Sequence, residues 1–161
     1  MKLIMCLLII FCFGIAGYLF KQKQILTLKF LKFLADFENF YDSNINLFKC
    51  NVIEIIDNYK ITQKNKNENF INLFQKNSNI YSFDKEILKK YLNNDSAIVI
   101  ENYLVSIGKN EYYYECEKNK KLKQYLAEQI KIAERNVDVK GSLTFKILLA
   151  IGAVFAILLW W

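Results

Sequence analysis

Apolar residues fall into two patterns along this chain: an unbroken run at each end and helical spacing in between. Leu3–Phe20 carries no charged residue, and Leu143–Trp161 carries only Lys146. These runs of 18 and 19 residues span about 27 and 28 Å as helices, close to the hydrocarbon thickness of a bilayer. We therefore expect one transmembrane anchor at residues 1–21 and another at 142–161.

Between the anchors, apolar residues recur at steps of three and four, which places them on one face of a helix. One such stripe consists of Phe30, Phe33, Phe37 and Phe40, and a later one of Leu122, Leu126, Ile130, Ala133 and Val137. The later stripe predicts a long last helix at about 111–137. No segment alternates with period two, so no sheet is expected. The predicted fold class is all-α, with roughly six helices bundled in 22–141 between an N-terminal and a C-terminal transmembrane helix.

Short polar or glycine-containing clusters mark the expected helix ends. Turns are predicted at Asp42-Ser43-Asn44 and at Asn77-Ser78-Asn79, and an interruption at Gly141-Ser142. Ser82 or Asp84 is expected to cap the helix that follows it, and Asn93-Asn94-Asp95-Ser96 is expected to form another break and cap. Gly108 is expected to take the left-handed conformation just after a helix end.

Composition limits the chemistry that this chain can perform. Its 161 residues include no histidine, no proline, four cysteines and five glycines. Without histidine there is no Ser-His-Asp or Cys-His catalysis and no His-containing zinc site. Cys6 and Cys12 fall inside the first apolar run, Cys50 and Cys116 are far apart, and there is no Cys-x-x-Cys motif. The four cysteines are therefore expected to be unpaired thiols in a reducing compartment. No glycine-rich phosphate loop is present. We predict no enzymatic activity and no catalytic, cofactor-binding or metal-binding residues.

Lysines around the two apolar runs predict the orientation in the membrane. Lys2 alone precedes the first run, whereas Lys21, Lys23, Lys29 and Lys32 follow it, and Lys140 and Lys146 flank the second run on its inner side. The positive-inside rule then places the middle segment in the cytoplasm, with both anchors crossing outward. The alternative is a cleaved signal peptide, with Gly14-Ile15-Ala16 as the cleavage site and an extracytoplasmic domain behind it.

Several polar groups are candidates for a functional role. The carboxylate pairs Asp36/Glu38, Glu54/Asp57 and Glu115/Glu117 are expected on solvated helix faces rather than in acid–base dyads. An exposed aromatic group within a charged rim is typical of a docking face. The candidate partner interface is Tyr112, Tyr113, Tyr114, Lys120 and Lys121. Nucleic acid is not expected as a partner, although the lysines suit anionic lipid. Gly152 and Ala156 allow another helix to approach closely, or belong to an ordinary lipid-facing anchor.

Specific residues resemble those of the stage III sporulation protein AB family. They are Gly17-Tyr18 in the first anchor, then Leu31, Leu34, Phe37-Glu38 and Phe40, then Ser106-Ile107-Gly108-Lys109, Ala133-Glu134, and Gly152 in the last anchor. The resemblance covers essentially the whole chain, but its motifs are one glycine turn, apolar stripes and two anchors. The chain departs from the family pattern at Lys23-Gln24, at Tyr112-Tyr113-Tyr114 and at Ile147-Leu148.

The resemblance implies a structural part of an assembly. Members of that family belong to the apparatus that joins mother cell and forespore during endospore formation, and their soluble domain is similar to the cytoplasmic domain of the type II secretion platform protein. It implies a non-enzymatic adaptor in the mother-cell membrane that links a cytoplasmic secretion-type ATPase to small membrane proteins. The alternative function is a membrane-tethered binding or signalling module unrelated to sporulation.

Overall fold

The computed structural model describes residues 2–48, 51–64, 67–77, 80–109 and 111–160. It divides into two compact units. One, the helical-hairpin unit, comprises Met1–Leu28 and Lys131–Trp161, and the other, the bundle unit, comprises Lys29–Ile130. The predicted all-α class is confirmed, because the described residues are almost entirely helical.

The elements follow one another in a simple order. They are α1 (Lys2–Phe48), α2 (Val52–Gln63), α3 (Glu68–Ile71), β1 (Phe74–Asn77), β2 (Ile80–Phe83), α4 (Lys85–Tyr91), α5 (Asn94–Ser106), α6 (Tyr112–Arg135), a π-helical turn (Asn136–Gly141) and α7 (Ser142–Trp160).

The core of the bundle unit is built from aromatic rings on α1. Phe30, Phe33 and Phe37 recur at three- and four-residue steps and are buried. The Phe33 and Phe37 rings both contact the rings of Tyr59 on α2 and Phe74 on β1, with centroid separations of 4.7–6.1 Å. Such contacts favour tilted or edge-on rings, and the interplanar angles of 48–67° fit this geometry.

Helix α1 continues past the turn that was predicted at Asp42-Ser43-Asn44. That prediction was wrong, because the helix ends only at Phe48. The Ser43 hydroxyl donates to the carbonyl of Asn39 (2.8 Å), and the Asn44 amide donates to that of Phe40 (2.7 Å). Side chains that could have ended the helix are thus satisfied within it.

A β-hairpin lies where the sequence indicated no sheet. Strands β1 and β2 pair antiparallel, with Phe74 opposite Phe83 and Lys76 opposite Tyr81. The hairpin is fastened to α2 through Asp57, which accepts from the Tyr81 hydroxyl and forms an ion pair with Lys76 at 2.7 Å. Four-residue strands are too short for a periodic signal. Ser78 and Asn79, within the turn predicted at 77–79, lie outside the described residues.

The caps that begin α4 and α5 are side chains of the kind expected. The Asp84 carboxylate accepts from the backbone N–H of Glu86 at 2.9 Å and of Ile87 at 3.4 Å, as predicted. The Asn93 amide oxygen accepts from the N–H of Ser96 at 2.8 Å. Each cap satisfies backbone donors at a helix start that have no partner within the helix.

In the helical-hairpin unit, the first part of α1 packs antiparallel against α7. Gly17 lies against Phe145, and Gly152 lies against Phe13 and Ile10. A Cβ on Gly17 would come within 3.1 Å of the Phe145 Cα, so glycine permits a close backbone approach there. At the far end, the Cys6 thiol donates to the carbonyl of buried Ala156 at 3.2 Å. Gly152 and Ala156 thus contact α1 of their own chain.

The interruption predicted at Gly141-Ser142 does not occur. Helix α6 passes through the π-helical turn into α7. Ala133 and Gly141 are both buried, yet eight positions in an α-helix rotate the second residue by about 80° relative to the first. A π turn accommodates one extra residue, which brings Gly141 back to the buried face.

Two continuous helical stretches are long and apolar enough, by length and composition, to cross a membrane. One, Ile4–Ile45, lies within α1, and the other, Tyr113–Leu158, runs from α6 through the π-helical turn into α7. In the most apolar 18 residues of each stretch, only 6% and 17% of the residues, respectively, are buried. Apolar side chains therefore cover most of the outer surface of the helical-hairpin unit. Tryptophan side chains favour membrane interfaces, but those of Trp160 and Trp161 lie outside the part of the chain that the structure describes.

The packing of α1 on α7 predicts a specific cross-link. In a chain with Cys12, Cys50 and Cys116 replaced by serine, Ala156→Cys should form an intrachain disulfide with Cys6 on mild oxidation, because the Cys6 sulfur already touches residue 156. Mass spectrometry of the cross-linked peptides is the measurement. Val154→Cys, which is exposed, is the control and should remain reduced. Equal cross-linking at both positions would contradict this packing.

Candidate functional site

Helix α6 carries the aromatic and basic residues selected from the sequence, and it presents them on two adjacent stripes. Tyr113 and Lys120 are seven residues apart on one stripe, and Tyr114 and Lys121 lie on the next. All four are exposed, and Tyr113 is 77% exposed. The side chain of Tyr112 lies outside the part of the chain that the structure describes. The four described residues therefore form an accessible surface on one helix.

Lys121 lines a groove between α5 and α6. The groove has a volume of about 360 Å³ and is mostly apolar. Its floor contains buried Tyr103 and Leu122, and Lys118 lies beside Lys121 at its edge. The Lys118 ammonium lies 5.4 Å from the centroid of the Tyr103 ring, within the range of a cation–π contact.

Gly108 fixes the turn between α5 and α6. Its φ of +71° is the left-handed conformation expected of a glycine after a helix end. A Cβ at this position would lie only 2.3 Å from Cγ2 of Val52. Both backbone conformation and space thus require glycine here.

The backbone N–H of Gly108 donates to a buried carboxylate, that of Glu115, at 3.0 Å. The Tyr41 hydroxyl on α1 donates to the same oxygen, also at 3.0 Å. Burial, with the adjacent Glu115 charge, raises the pKa of Tyr41, which keeps the hydroxyl protonated as a donor. The expectation that Glu115 is solvated was wrong: its carboxylate joins α1, α6 and the turn at Gly108.

One turn further along α6, a second polar chain links three helices. The Tyr103 hydroxyl on α5 donates to the Asn119 side-chain oxygen at 2.6 Å, and the Asn119 amide approaches Asp42 at 3.4 Å. Asp42 also accepts from the Lys123 ammonium at 2.6 Å. Asn119 is fully buried, so this chain satisfies polar groups that would otherwise be costly to bury.

Glu38 is the most unusual member of this region. Its side chain is 1% exposed, and neither carboxylate oxygen has a hydrogen-bond partner among the described residues. Lys123 lies 3.8 Å away. Burial raises the pKa of Glu38 to about 7, an effect that Lys123 reduces and Asp42 increases. Glu38 was also expected to be solvated, and that expectation was wrong.

We call Glu38, Tyr41, Asp42, Glu115, Asn119 and Lys123 the buried polar cluster. Its two most buried carboxylates, Glu38 and Glu115, are closed off from solvent, and that of Glu115 joins α1, α6 and the turn at Gly108. Of the other candidate carboxylates, Asp36, Glu54 and Glu117 are exposed as expected, whereas Asp57 is half-buried and fastens the β-hairpin. Among the described residues, no group of three or more Cys, Asp or Glu side chains could hold a metal ion.

The raised pKa of Glu38 predicts how stability depends on pH. The folded state keeps the Glu38 proton up to about pH 7, whereas the unfolded chain releases it near its ordinary pKa of about 4.3. This contribution to the free energy of unfolding is therefore present below the unfolded pKa and is lost as the pH rises through 7. Glu38→Gln should remove that loss, flattening the decline between pH 5 and 8 by about 3 kcal/mol.

Chemical unfolding of the full chain in detergent, followed by circular dichroism at several pH values, measures this effect. The matched control is Glu54→Gln, which makes the same chemical change at an exposed position. If Glu38→Gln and Glu54→Gln keep the same pH slope as the unaltered chain, the assignment of a buried, titrating Glu38 is wrong.

No protein-family model, no curated protein and no solved structure matches this chain.

Proposed function

We propose that this protein is a non-enzymatic membrane adaptor whose helical hairpin crosses the bilayer and whose bundle unit binds a soluble partner. The observation that carries the proposal is the apolar outer surface of the helical-hairpin unit. Side chains from both of its helices are large, apolar and exposed, among them Leu7, Phe11, Leu19, Val154 and Leu158.

Such a surface is unfavourable in water but suits lipid. A soluble monomer rarely exposes contiguous apolar area of more than a few hundred Å². In a bilayer, the same side chains face hydrocarbon, and helices satisfy their own backbone groups. The close approach at Gly17 and Gly152 provides the van der Waals packing that associates helices in lipid.

The antiparallel packing of the two anchors has a topological consequence. The end of the first anchor and the start of the second lie on the same side of the bilayer. The segment that joins them, residues 29–130, therefore lies on that side. The lysines at that end are Lys21, Lys23, Lys140 and Lys146. Their concentration there supports a cytoplasmic location for the bundle unit and contact with anionic lipid headgroups.

The resemblance to the sporulation family supports the proposed process and partners. Within this proposal, the bundle unit docks a cytoplasmic secretion-type ATPase, and the anchors hold it beside small membrane proteins during endospore formation. The buried carboxylates have structural partners or no access to solvent, which supports a role in assembly rather than catalysis. The exposed Tyr113, Tyr114, Lys120 and Lys121 are proposed as one part of the contact surface.

Cysteine accessibility tests the topology. In a cysteine-free chain, Lys64→Cys in the bundle unit should resist an impermeant maleimide in intact bacterial cells and react after lysis, because it would lie in the cytoplasm. Lys2→Cys is the matched probe for the opposite side and should react in intact cells. Labelling of Lys64→Cys before lysis would favour the extracytoplasmic, membrane-tethered alternative, and recovery of a chain that begins near Gly17 would show a cleaved signal peptide.

Deletion of the gene tests the function. In a spore-forming source organism, we expect the secretion-type ATPase to move from the membrane fraction to the soluble fraction and sporulation to fail, because its attachment site is lost. Resupplying the full chain should restore both. The measurements are immunoblots of the two fractions and counts of heat-resistant spores. Normal spore counts, or an ATPase that stays at the membrane without this protein, would refute the adaptor role.

A further inference from the structure

Helix α5 exposes apolar side chains on its outer face. Ile98 is 57% exposed, and Val99 and Val105 are also exposed. Ile98 and Val105 are seven residues apart, so they lie on one stripe of the helix, with Asn102 between them. Helix α5 already buries another face through Ala97, Ile100 and Leu104. The helix thus carries apolar side chains on two sides, and among the described residues only one of these sides is buried.

A groove runs along each side of this exposed stripe. Val99 lines the α5–α6 groove described above. Val105 lines a second groove, of about 460 Å³, which continues over Val52 and Ile56 of α2 and Phe83 of β2. The stripe and the two grooves therefore form one continuous apolar surface with concave flanks, which we call the α5 surface.

Lysines border the α5 surface on both flanks. Lys118 and Lys121 edge the first groove, and Lys85 and Lys109 edge the second. Lys85 is paired with Glu101 at 2.5 Å, whereas the other three form no ion pair with a described residue. Burial lowers the pKa of Lys118, against the influence of Glu115, so a carboxylate arriving from outside would stabilise its charged form.

We propose that the α5 surface binds an acidic amphipathic helix of the soluble partner, with the apolar face of that helix on Ile98, Val99 and Val105 and its carboxylates at Lys118 and Lys121. This inference rests on the proposed adaptor function, since it assigns a surface and a chemistry to that partner. Amphipathic helices bind by placing apolar side chains at helical spacing into a groove. Charge complementarity at the rim then sets the orientation and specificity.

The shape and charge of the surface favour this occupant over two others. The grooves are concave and receive individual side chains, whereas a lipid surface offers no side chains to fill them. A second copy of this chain would bring another lysine-bordered surface to this one, and the like charges of the two rims would repel.

The test uses the full chain in nanodiscs of neutral lipid and a fluorescent synthetic peptide. The peptide is an amphipathic helix with leucine at i, i+3, i+4 and i+7 and glutamate on its polar face. Fluorescence anisotropy gives its Kd. The combined variant Ile98→Asp/Val105→Asp should weaken binding at least about tenfold, as loss of central apolar anchors does. The matched control Ile61→Asp, at a 75% exposed residue of α2 outside this surface, should leave the Kd unchanged.

Charge exchange tests the role of the rim. Lys118→Glu/Lys121→Glu should weaken binding of the glutamate peptide at least about tenfold and strengthen binding of a peptide with lysine in place of glutamate. Lys64→Glu, on an exposed residue elsewhere, is the control. Equal binding of both peptides to the unaltered chain, or equal losses in the test and control variants, would overturn the proposal. Circular dichroism confirms that each variant keeps its helix content.

Two further measurements identify a different occupant. If the Ile98→Asp/Val105→Asp change abolishes binding to anionic vesicles or dissociates a dimer, while the acidic peptide shows no binding, the acidic-helix proposal is wrong.

In the deletion strain, the same variant should fail to hold the ATPase at the membrane, whereas Ile61→Asp should hold it. Retention by both variants would overturn the α5 surface but leave the adaptor role intact. Failure of the unaltered chain to recruit the ATPase would refute the adaptor role itself, whatever the peptide measurements show.

Discussion

The bundle unit depends on the need to keep a row of large aromatic rings out of water. Phe30, Phe33 and Phe37 lie on one face of α1, and each is completely or almost completely buried. Fully burying such a side chain contributes about 1.5–3 kcal/mol. The short elements between residues 52 and 91 supply the surface that covers these rings. Tyr59 does so while donating its hydroxyl to the carbonyl of Phe33 at 3.0 Å, which leaves no buried polar atom unsatisfied on that ring.

The opposite arrangement holds where α1 contacts α6 within the bundle unit. There the contact is polar, through Tyr41 and Glu115 at one level and Asp42, Asn119 and Lys123 at another. Directional hydrogen bonds fix the register of two helices more strictly than apolar contacts do. Glu38 is the costly part of this arrangement, because its buried carboxyl group has no hydrogen-bond partner among the described residues, and the Lys123 ammonium lies 3.8 Å away. A helix pair fixed in this way presents α5 and the exposed stripes of α6 on a rigid base, which suits a docking role.

The two units stabilise helices by different physical means, in keeping with different surroundings. In the helical-hairpin unit, small residues let the backbones of α1 and α7 approach, while large apolar side chains point outward. In the bundle unit, large apolar side chains point inward and charged ones outward. Exceptions among the described helices of that unit are Ile61, Tyr113, Tyr114 and the exposed apolar stripe of α5. The α5 stripe is the one flanked by two grooves, and it is the surface that we assign to a partner helix.

The sequence by itself determined the helical class, the apolar runs at the two ends, the aromatic stripe of α1 and the caps at Asp84 and Asn93, because these follow from local spacing and local hydrogen bonding. It also held a signal for the buried carboxylates. Glu38 lies in register with Leu31, Leu34 and Tyr41, and Glu115 with Asn119, Leu122 and Leu126. A carboxylate is buried only when distant groups satisfy it, so local spacing favoured solvation. Only the tertiary structure decided this point, since it brings Tyr41 to Glu115 from 74 positions away in the chain. It likewise decided the continuation of α1 through Asp42, the passage through Gly141 and the β-hairpin, where contacts made elsewhere outweigh the local preference for a turn or a helix.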